Sequence, residues 1–163
     1  MSVNKFLPHV YVIPEDRADE QLANGFVLHD QVNVRQIQVL PCVDGWPGVL
    51  DKFRTEYVTY LRNNKDGYVV LLIDFDSDYV NRRDRFDKEI PADLKNRVFV
   101  IGAKDTPEIL RQELGKNFEE IGLSLAEDCY KGGVTLWGHE HLQHNEPDRV
   151  GLIRTVKSIL FRK

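Results

Sequence analysis

A chain of 163 residues of which 42% are hydrophobic has enough apolar side chains for one core, so we expect a single domain. The formal net charge of -4 argues against a protein held on nucleic acid by bulk positive charge. No apolar run reaches membrane-spanning length. Cys42 and Cys129 are isolated and no apolar leader is evident, so we expect reduced thiols and a cytoplasmic location.

The first predicted unit is a strand, an acidic loop and a helix. Residues 8–13 are rich in β-formers, and residues 20–29 follow a helical pattern in which Leu22 and Phe26 share one face. Glu15 stands at the carboxyl end of this strand. Asp19 is predicted to be the N-cap or a first-turn acid of the helix.

The second predicted unit is a strand over residues 35–40, a turn, and a helix over residues 49–63. The helix has an apolar stripe at three- and four-residue spacing, formed by Leu50, Phe53, Tyr57 and Leu61. Gly45 in the turn is expected to adopt a positive φ or to let the backbone approach a ligand. Trp46 is interpreted as a packing residue in preference to a base-stacking one.

The third predicted strand, residues 68–73, leads directly into three alternating acids, Asp74, Asp76 and Asp78. A short continuous apolar run of this kind predicts a strand buried on both faces of a parallel sheet. Ligands bind at the carboxyl ends of such strands, and Asp74 and Asp76 are expected to project to the same side. Carboxylates paired in this way favour Mg²⁺ or Mn²⁺. The alternative is one helix cap and solvated loop charge.

Residues 79–90 are mostly charged and predict a solvated helix or a long loop. Arg82, Arg83 and Arg85 form the densest cationic cluster of the chain, next to the predicted metal site. They are candidates for binding a substrate phosphate. A surface helix stabilised by ion pairs is the alternative.

A fourth buried strand is predicted over residues 97–102, and Thr106 and Pro107 are typical of a helix start. We expect one long helix to follow, with an inner stripe of Leu110, Leu114, Phe118, Ile121 and Leu125. Four successive strand-helix units predict an α/β fold with a mostly parallel sheet flanked by helices.

The C-terminal part has a different pattern. Residues 134–137 are predicted to form a last strand, and a helix is expected to open at Pro147. Its inward residues would be Val150, Ile153, Val156 and Leu160. Three histidines precede it, His139, His141 and His144, with Cys129 as the only nearby thiol. They indicate either a zinc site or a polar helix start or interface segment.

The order of these motifs resembles the Toprim domain of topoisomerases, primases and the overcoming-lysogenization-defect (OLD) family nucleases. Such domains place a glutamate after the first strand, a glycine after the second and Asp-x-Asp after the third. The matching residues are Glu15, Gly45, Asp74 and Asp76, and the resemblance covers about residues 8–115. Many members read Glu-Gly-x-x-Asp after the first strand, where this chain has Asp16 in place of the glycine.

The resemblance implies a Toprim-like core over about residues 8–128 and a C-terminal extension over residues 129–163. It implies an Mg²⁺- or Mn²⁺-dependent nuclease that hydrolyses nucleic-acid phosphodiesters, DNA in preference to RNA. Glu15, Asp74 and Asp76 would be catalytic and, with Asp78, would hold the metal, and Glu15 could also act as a general base.

Similarity to the OLD branch further implies the effector subunit of a phage-defence complex. Its ATPase would be a separate protein, because this chain has no GxxxxGK[ST] loop. Residues 137–144 and the last helix lie outside the resemblance and are the predicted docking surface for that partner.

Three other interpretations remain open. In a phosphorylation receiver, Asp16, Asp74, Lys104 and Thr106 would form the site, although Lys104 and Thr106 follow the same strand. A haloacid-dehalogenase-like phosphatase also has Asp-x-Asp after a buried strand, normally the first. The third is a non-catalytic interaction module with a Toprim-like fold.

Overall fold

A four-stranded, all-parallel sheet lies between two layers of helices in the computed structural model, which describes residues 2–162. The strands are β1 His9–Pro14, β2 Ile37–Val39, β3 Gly67–Leu72 and β4 Val98–Ile101. Their order in the sheet is β2-β1-β3-β4, so β1 and β3 are the central pair. The predicted α/β fold with a parallel sheet is confirmed.

The helices alternate with the strands along the chain. They are α1 Arg17–Val27, α2 Gly45–Lys52, α3 Val58–Asn63, α4 Tyr79–Asp87, α5 Pro107–Leu114, α6 Phe118–Lys131 and α7 Glu146–Leu160. A π-helical turn, Phe53–Tyr57, joins α2 to α3, so the single helix predicted here starts earlier and is irregular in its middle. None of the helices within residues 2–162 has the length and apolar character needed to cross a bilayer.

Two hydrophobic cores cover the two faces of the sheet. Val10, Val12 and Val70 point to the core beneath α1, α5, α6 and α7. Tyr11, Ile13 and the alternate residues of β3 point to the core beneath α2, α3 and α4. Because both faces of the sheet are covered, the sequences of the strands are continuous apolar runs without polar alternation.

The helix expected after residue 106 is two helices, which corrects the prediction of one continuous inner stripe. Gly115 ends α5 in the left-handed conformation, with φ 63°. Asn117 then starts α6 with a capping box, in which its side chain accepts from the Glu120 N–H and the Glu120 carboxylate accepts from the Asn117 N–H. The two caps stop and restart the helix although the apolar spacing continues across them.

Residues 134–137 form turns, so the prediction of a last strand there is wrong. Leu136 and Trp137 are nevertheless buried. The carboxylate of the buried Asp128 accepts both of their backbone N–H groups, at 2.6 Å and 3.1 Å. The Asp128 carboxylate of α6 therefore accepts hydrogen bonds that the backbone of a neighbouring strand would otherwise accept.

The last helix packs on the sheet largely through its predicted face, with Leu152 in place of Val150. Leu152, Val156 and Leu160 are buried in the core beneath α1 and α6, whereas Val150 is exposed. Trp137 is buried in the same core. The buried residues of the predicted docking surface therefore pack against other residues of the same chain.

Side chains close the outer edge of β4. Asp148 of α7 accepts the Val100 N–H at 2.9 Å, and Arg83 of α4 donates to the Val100 carbonyl at 3.2 Å. Asn145 both accepts from the Gly102 N–H, at 3.1 Å, and donates to the Gly102 carbonyl, at 2.9 Å. These four hydrogen bonds satisfy backbone N–H and carbonyl groups that would otherwise have no partner at the edge of the sheet.

Helices α1 and α6 cross at close range through a glycine on each helix. A Cβ on Gly122 would lie 2.0 Å from the Leu22 carbonyl oxygen, and one on Gly25 would lie 2.1 Å from the Glu119 carbonyl oxygen. Because the obstructing atoms are backbone, only glycine permits this approach. The crossing holds α1, and therefore the acidic loop before it, in place.

Candidate metal centre

The acidic residues after β1 and β3 meet at the carboxyl end of the two central strands. This is the point at which the order β2-β1-β3-β4 reverses direction, where open α/β sheets bind ligands. Glu15 directly follows β1, and its carboxylate Oε1 accepts the backbone N–H of Asp74 at 3.0 Å. One side chain therefore joins the ends of both strands.

Three carboxylates can reach a common ion here. One oxygen each from Glu15, Asp16 and Asp74 lies within 4.8 Å of the others. Asp16 is the N-cap of α1, and its Oδ1 accepts the Asp19 N–H at 3.0 Å. Asp19, in the first turn, is fully buried behind the group. The structure thus brings Glu15 and Asp74 together as predicted and adds Asp16 and Asp19.

Several of these oxygens are buried without a protein donor. Both carboxylate oxygens of Asp19 and the Oδ1 of Asp74 accept no hydrogen bond within residues 2–162. Buried carboxylates are costly unless a proton or a cation compensates them. The donor set is all oxygen and fits Mg²⁺ or Mn²⁺.

The titration of the cluster reflects this burial. Burial raises the pKa of Asp74 to about 8. Burial first, and the nearby Asp74 carboxylate second, raise the pKa of Asp19 well above its ordinary value. Burial also raises the pKa of Glu15, although the hydrogen bond from the Asp74 N–H acts in the opposite direction. A bound cation would compete with these protons.

The metal-free protein is expected to lose stability as the pH rises. The folded state keeps a proton on Asp74 that the unfolded chain releases, so this proton lowers the unfolding free energy by about 1.4 kcal/mol per pH unit between about pH 5 and about pH 7.5. The raised pKa of Asp19 acts in the same direction. Urea unfolding in EDTA across this range measures the slope. Asp19→Asn removes the contribution of Asp19 and should flatten the slope, and equal slopes for the two proteins would contradict the assignment.

Asp76 and Asp78 lie outside the three-carboxylate group. Asp76 and Ser77 adopt positive φ, 50° and 60°, so the extended backbone that would align Asp74 with Asp76 does not continue. The Asp76 carboxylate pairs with Arg82 at 3.1 Å. Asp78 is exposed at the start of α4 and accepts from the Asn81 side chain at 2.9 Å. Asp76 still contributes negative charge next to Glu15.

The three arginines of α4 have different roles. Arg82 donates from Nη1 to the Asp74 carbonyl at 2.8 Å and to Asp76, which places its guanidinium at the rim of the cluster. Arg83 pairs with Asp148 and Asp87, and Arg85 pairs with Glu89. All three arginines therefore form ion pairs, and Arg82 is the one that lies at the rim of the acidic cluster.

The turn after β2 borders the site. Gly45 has φ 78°, as its prediction required, and begins α2. Trp46 packs on Phe86, with ring centroids 6.1 Å apart. The Arg82 guanidinium carbon lies 4.7 Å above the Trp46 ring, close enough for a cation-π contact that orients the arginine. The tryptophan thus packs, and it also supports the cation at the site.

The sequence predicts Asp19 only as a helix-start residue and indicates no metal role for Asp16 outside the receiver alternative. The available signal was their position, since the N-cap and third residues of a helix turn back toward the preceding strand end. Searches against protein-family models, curated proteins and solved structures give no significant match to the chain.

Proposed function

We propose that the protein is a metal-dependent phosphodiesterase that cleaves nucleic acid, with DNA as the preferred substrate. The observation that carries the proposal is the convergence of Glu15, Asp16 and Asp74 at the reversal point of the sheet. It is supported by oxygens of Asp19 and Asp74 that have no hydrogen-bond partner within residues 2–162. Mg²⁺ or Mn²⁺ held by the three carboxylates would neutralise charge that develops on a phosphodiester.

The residues around the cluster have roles in this chemistry. Glu15 has a raised pKa and lies at the strand end, so it is suited to accept a proton from the attacking water. Arg82 makes both of its hydrogen bonds within residues 2–162 through Nη1, which leaves Nη2 available to a phosphate oxygen. The raised pKa of Asp19, which is buried behind Asp74, favours the neutral carboxyl and would limit the negative charge that the site must bury.

A cleavage assay tests the proposal directly. Purified protein is incubated with plasmid DNA or with single-stranded RNA, in Mn²⁺ or in EDTA. We expect DNA cleavage that needs Mn²⁺ and is lost in Glu15→Gln, and that persists in Asp78→Asn, which removes the same charge from an exposed carboxylate outside the group. Cleavage of RNA alone would reassign the substrate, and metal-independent cleavage would contradict the proposal.

We further propose that the chain acts with a protein partner, such as a separate ATPase. The net charge is -4, and all three arginines predicted to bind phosphate are engaged in ion pairs. Additional positive charge for holding DNA would therefore come from another subunit. The isolated chain should cleave slowly, and rapid turnover by the purified chain would show that no partner is needed.

A further inference from the structure

We infer that a second metal site, selective for zinc, lies between the end of α5 and the turn that contains His139, Glu140 and His141. Its proposed ligands are Glu113, Glu140 and His141, which offer one donor atom each within 4.8 Å of the others. They are separate from the acidic residues of the metal centre above. Imidazole combined with carboxylate favours zinc over magnesium, which takes oxygen ligands.

The spacing of the donors fits a tetrahedral ion. The His141 Nε2 lies 3.5 Å from the Glu113 Oε1 and 3.5 Å from the Glu140 Oε1. Two donors bound to one tetrahedral zinc at about 2.0–2.1 Å lie about 3.3–3.4 Å apart. A good hydrogen bond would be shorter, at about 2.7–3.2 Å. The two pairs that include His141 are thus close to ligand spacing, and the two carboxylates lie within 4.8 Å of each other.

The ring of His141 is fixed with Nε2 toward the carboxylates. Its Nδ1 is buried and has no hydrogen-bond partner within residues 2–162, so Nε2 is the only ring atom with partners in reach. The Lys104 N–H donates to the His141 carbonyl at 2.9 Å, which anchors the turn to the loop after β4. The backbone of the turn that carries this donor is therefore held in place, which favours a preformed site.

His139 acts on the ligand Glu113 and does not bind the ion itself. Its Nδ1 accepts the His141 N–H at 3.1 Å, so in the neutral ring the proton is on Nε2. That Nε2 lies 3.1 Å from the Glu113 Oε2 and donates to it, which leaves Oε1 for the ion. Such an outer hydrogen bond orients a ligating carboxylate. The fourth position of the zinc would be open to water.

Cobalt substitution tests the site. Co²⁺ is titrated into the wild-type protein in excess Mg²⁺, so that Mg²⁺ competes with Co²⁺ for the carboxylate cluster at Glu15. Tetrahedral Co²⁺ absorbs visible light far more strongly than octahedral Co²⁺, so the spectrum reports coordination geometry. We expect strong visible bands that saturate at one equivalent and disappear when Zn²⁺ is added. Zn²⁺ at ~100 times its Kd should raise the Tm by about 5–10 °C.

Variants assign the bands to the proposed ligands. Glu113→Gln and Glu140→Gln change exposed residues, so both should fold, and each should lose the bands. Glu108→Gln removes the same charge from the start of α5 and should keep them, as should Asp74→Asn. The inference is overturned if wild type shows no strong bands, if the two ligand variants keep them, or if Asp74→Asn loses them. The last result would place the ion in the first cluster.

Discussion

Asp74→Asn is expected to reduce metal-dependent DNA cleavage by at least about 100-fold, because even residues that only orient metal ligands are worth about 10- to 100-fold. The same change should leave the Tm in EDTA at about pH 8 unchanged or raised. The reason is that it removes a buried charge which the metal-free protein must otherwise accommodate next to Asp19. The stabilisation that wild type gains from Mn²⁺ should be lost, since that gain comes from metal binding to the folded state.

Two further variants make this result specific. Asp78→Asn removes the same charge from an exposed residue and should retain both activity and the Mn²⁺ shift. Asp76→Asn releases Arg82 from its ion pair and should reduce cleavage by about 10-fold, as an outer-shell change does. If Asp74→Asn lowers the Tm in EDTA and wild type shows no Mn²⁺ shift, the cluster is structural. The non-catalytic interaction module would then replace the nuclease.

Gly122→Ala is expected to cost about 3 kcal/mol of stability or more, at the upper end for an overpacked core. The new Cβ would lie 2.0 Å from the Leu22 carbonyl oxygen and 2.8 Å from the Phe26 backbone nitrogen. Backbone atoms inside a helix cannot move aside individually, so α1 and α6 must separate. Thermal unfolding should show a Tm lower by about 6–12 °C for a chain of this size.

Gly133→Ala is the matched control for that experiment. A Cβ at Gly133 meets its nearest atom, the Asp128 Oδ1, at 3.8 Å, which is ordinary contact. Its Tm should stay within a few degrees of wild type, whereas Gly25→Ala should behave like Gly122→Ala. A Gly122→Ala protein as stable as wild type would show that the helices are not in close contact. Displacement of α1 should also weaken Mn²⁺ binding, since α1 begins at Asp16.

The strands and the position of the candidate site could be predicted because both depend on short stretches of sequence. The apolar runs at residues 68–73 and 97–102 have no polar alternation, which is expected only for strands covered on both faces. The acids that follow β1 and β3 must then meet if these strands are neighbours. That step needed only the rule that ligands bind at the carboxyl ends of parallel strands.

What could not be predicted depends on contacts between residues far apart in the chain. The strand expected at residues 134–137 is replaced by a turn because Asp128 binds its backbone groups. In the last helix Leu152 is buried where Val150 was expected, and Asp148 of this helix binds the edge of β4. The alignment of Asp74 with Asp76 failed for a local reason, the left-handed backbone of Asp76 and Ser77. Neither residue is glycine, so the sequence does not indicate a left-handed backbone at these positions.

The closed edge of β4 also limits how other proteins can bind. Many partners attach by adding a strand to the open side of a sheet, using the exposed backbone groups as a template. At β4 an incoming strand would have to displace Asp148, Asn145 and Arg83 from the main chain, and with them the start of α7. The opposite edge strand, β2, has only three residues. A subunit that joins this protein is therefore expected to recognise side chains on its helices and loops, and its binding should survive substitutions that would disrupt strand pairing.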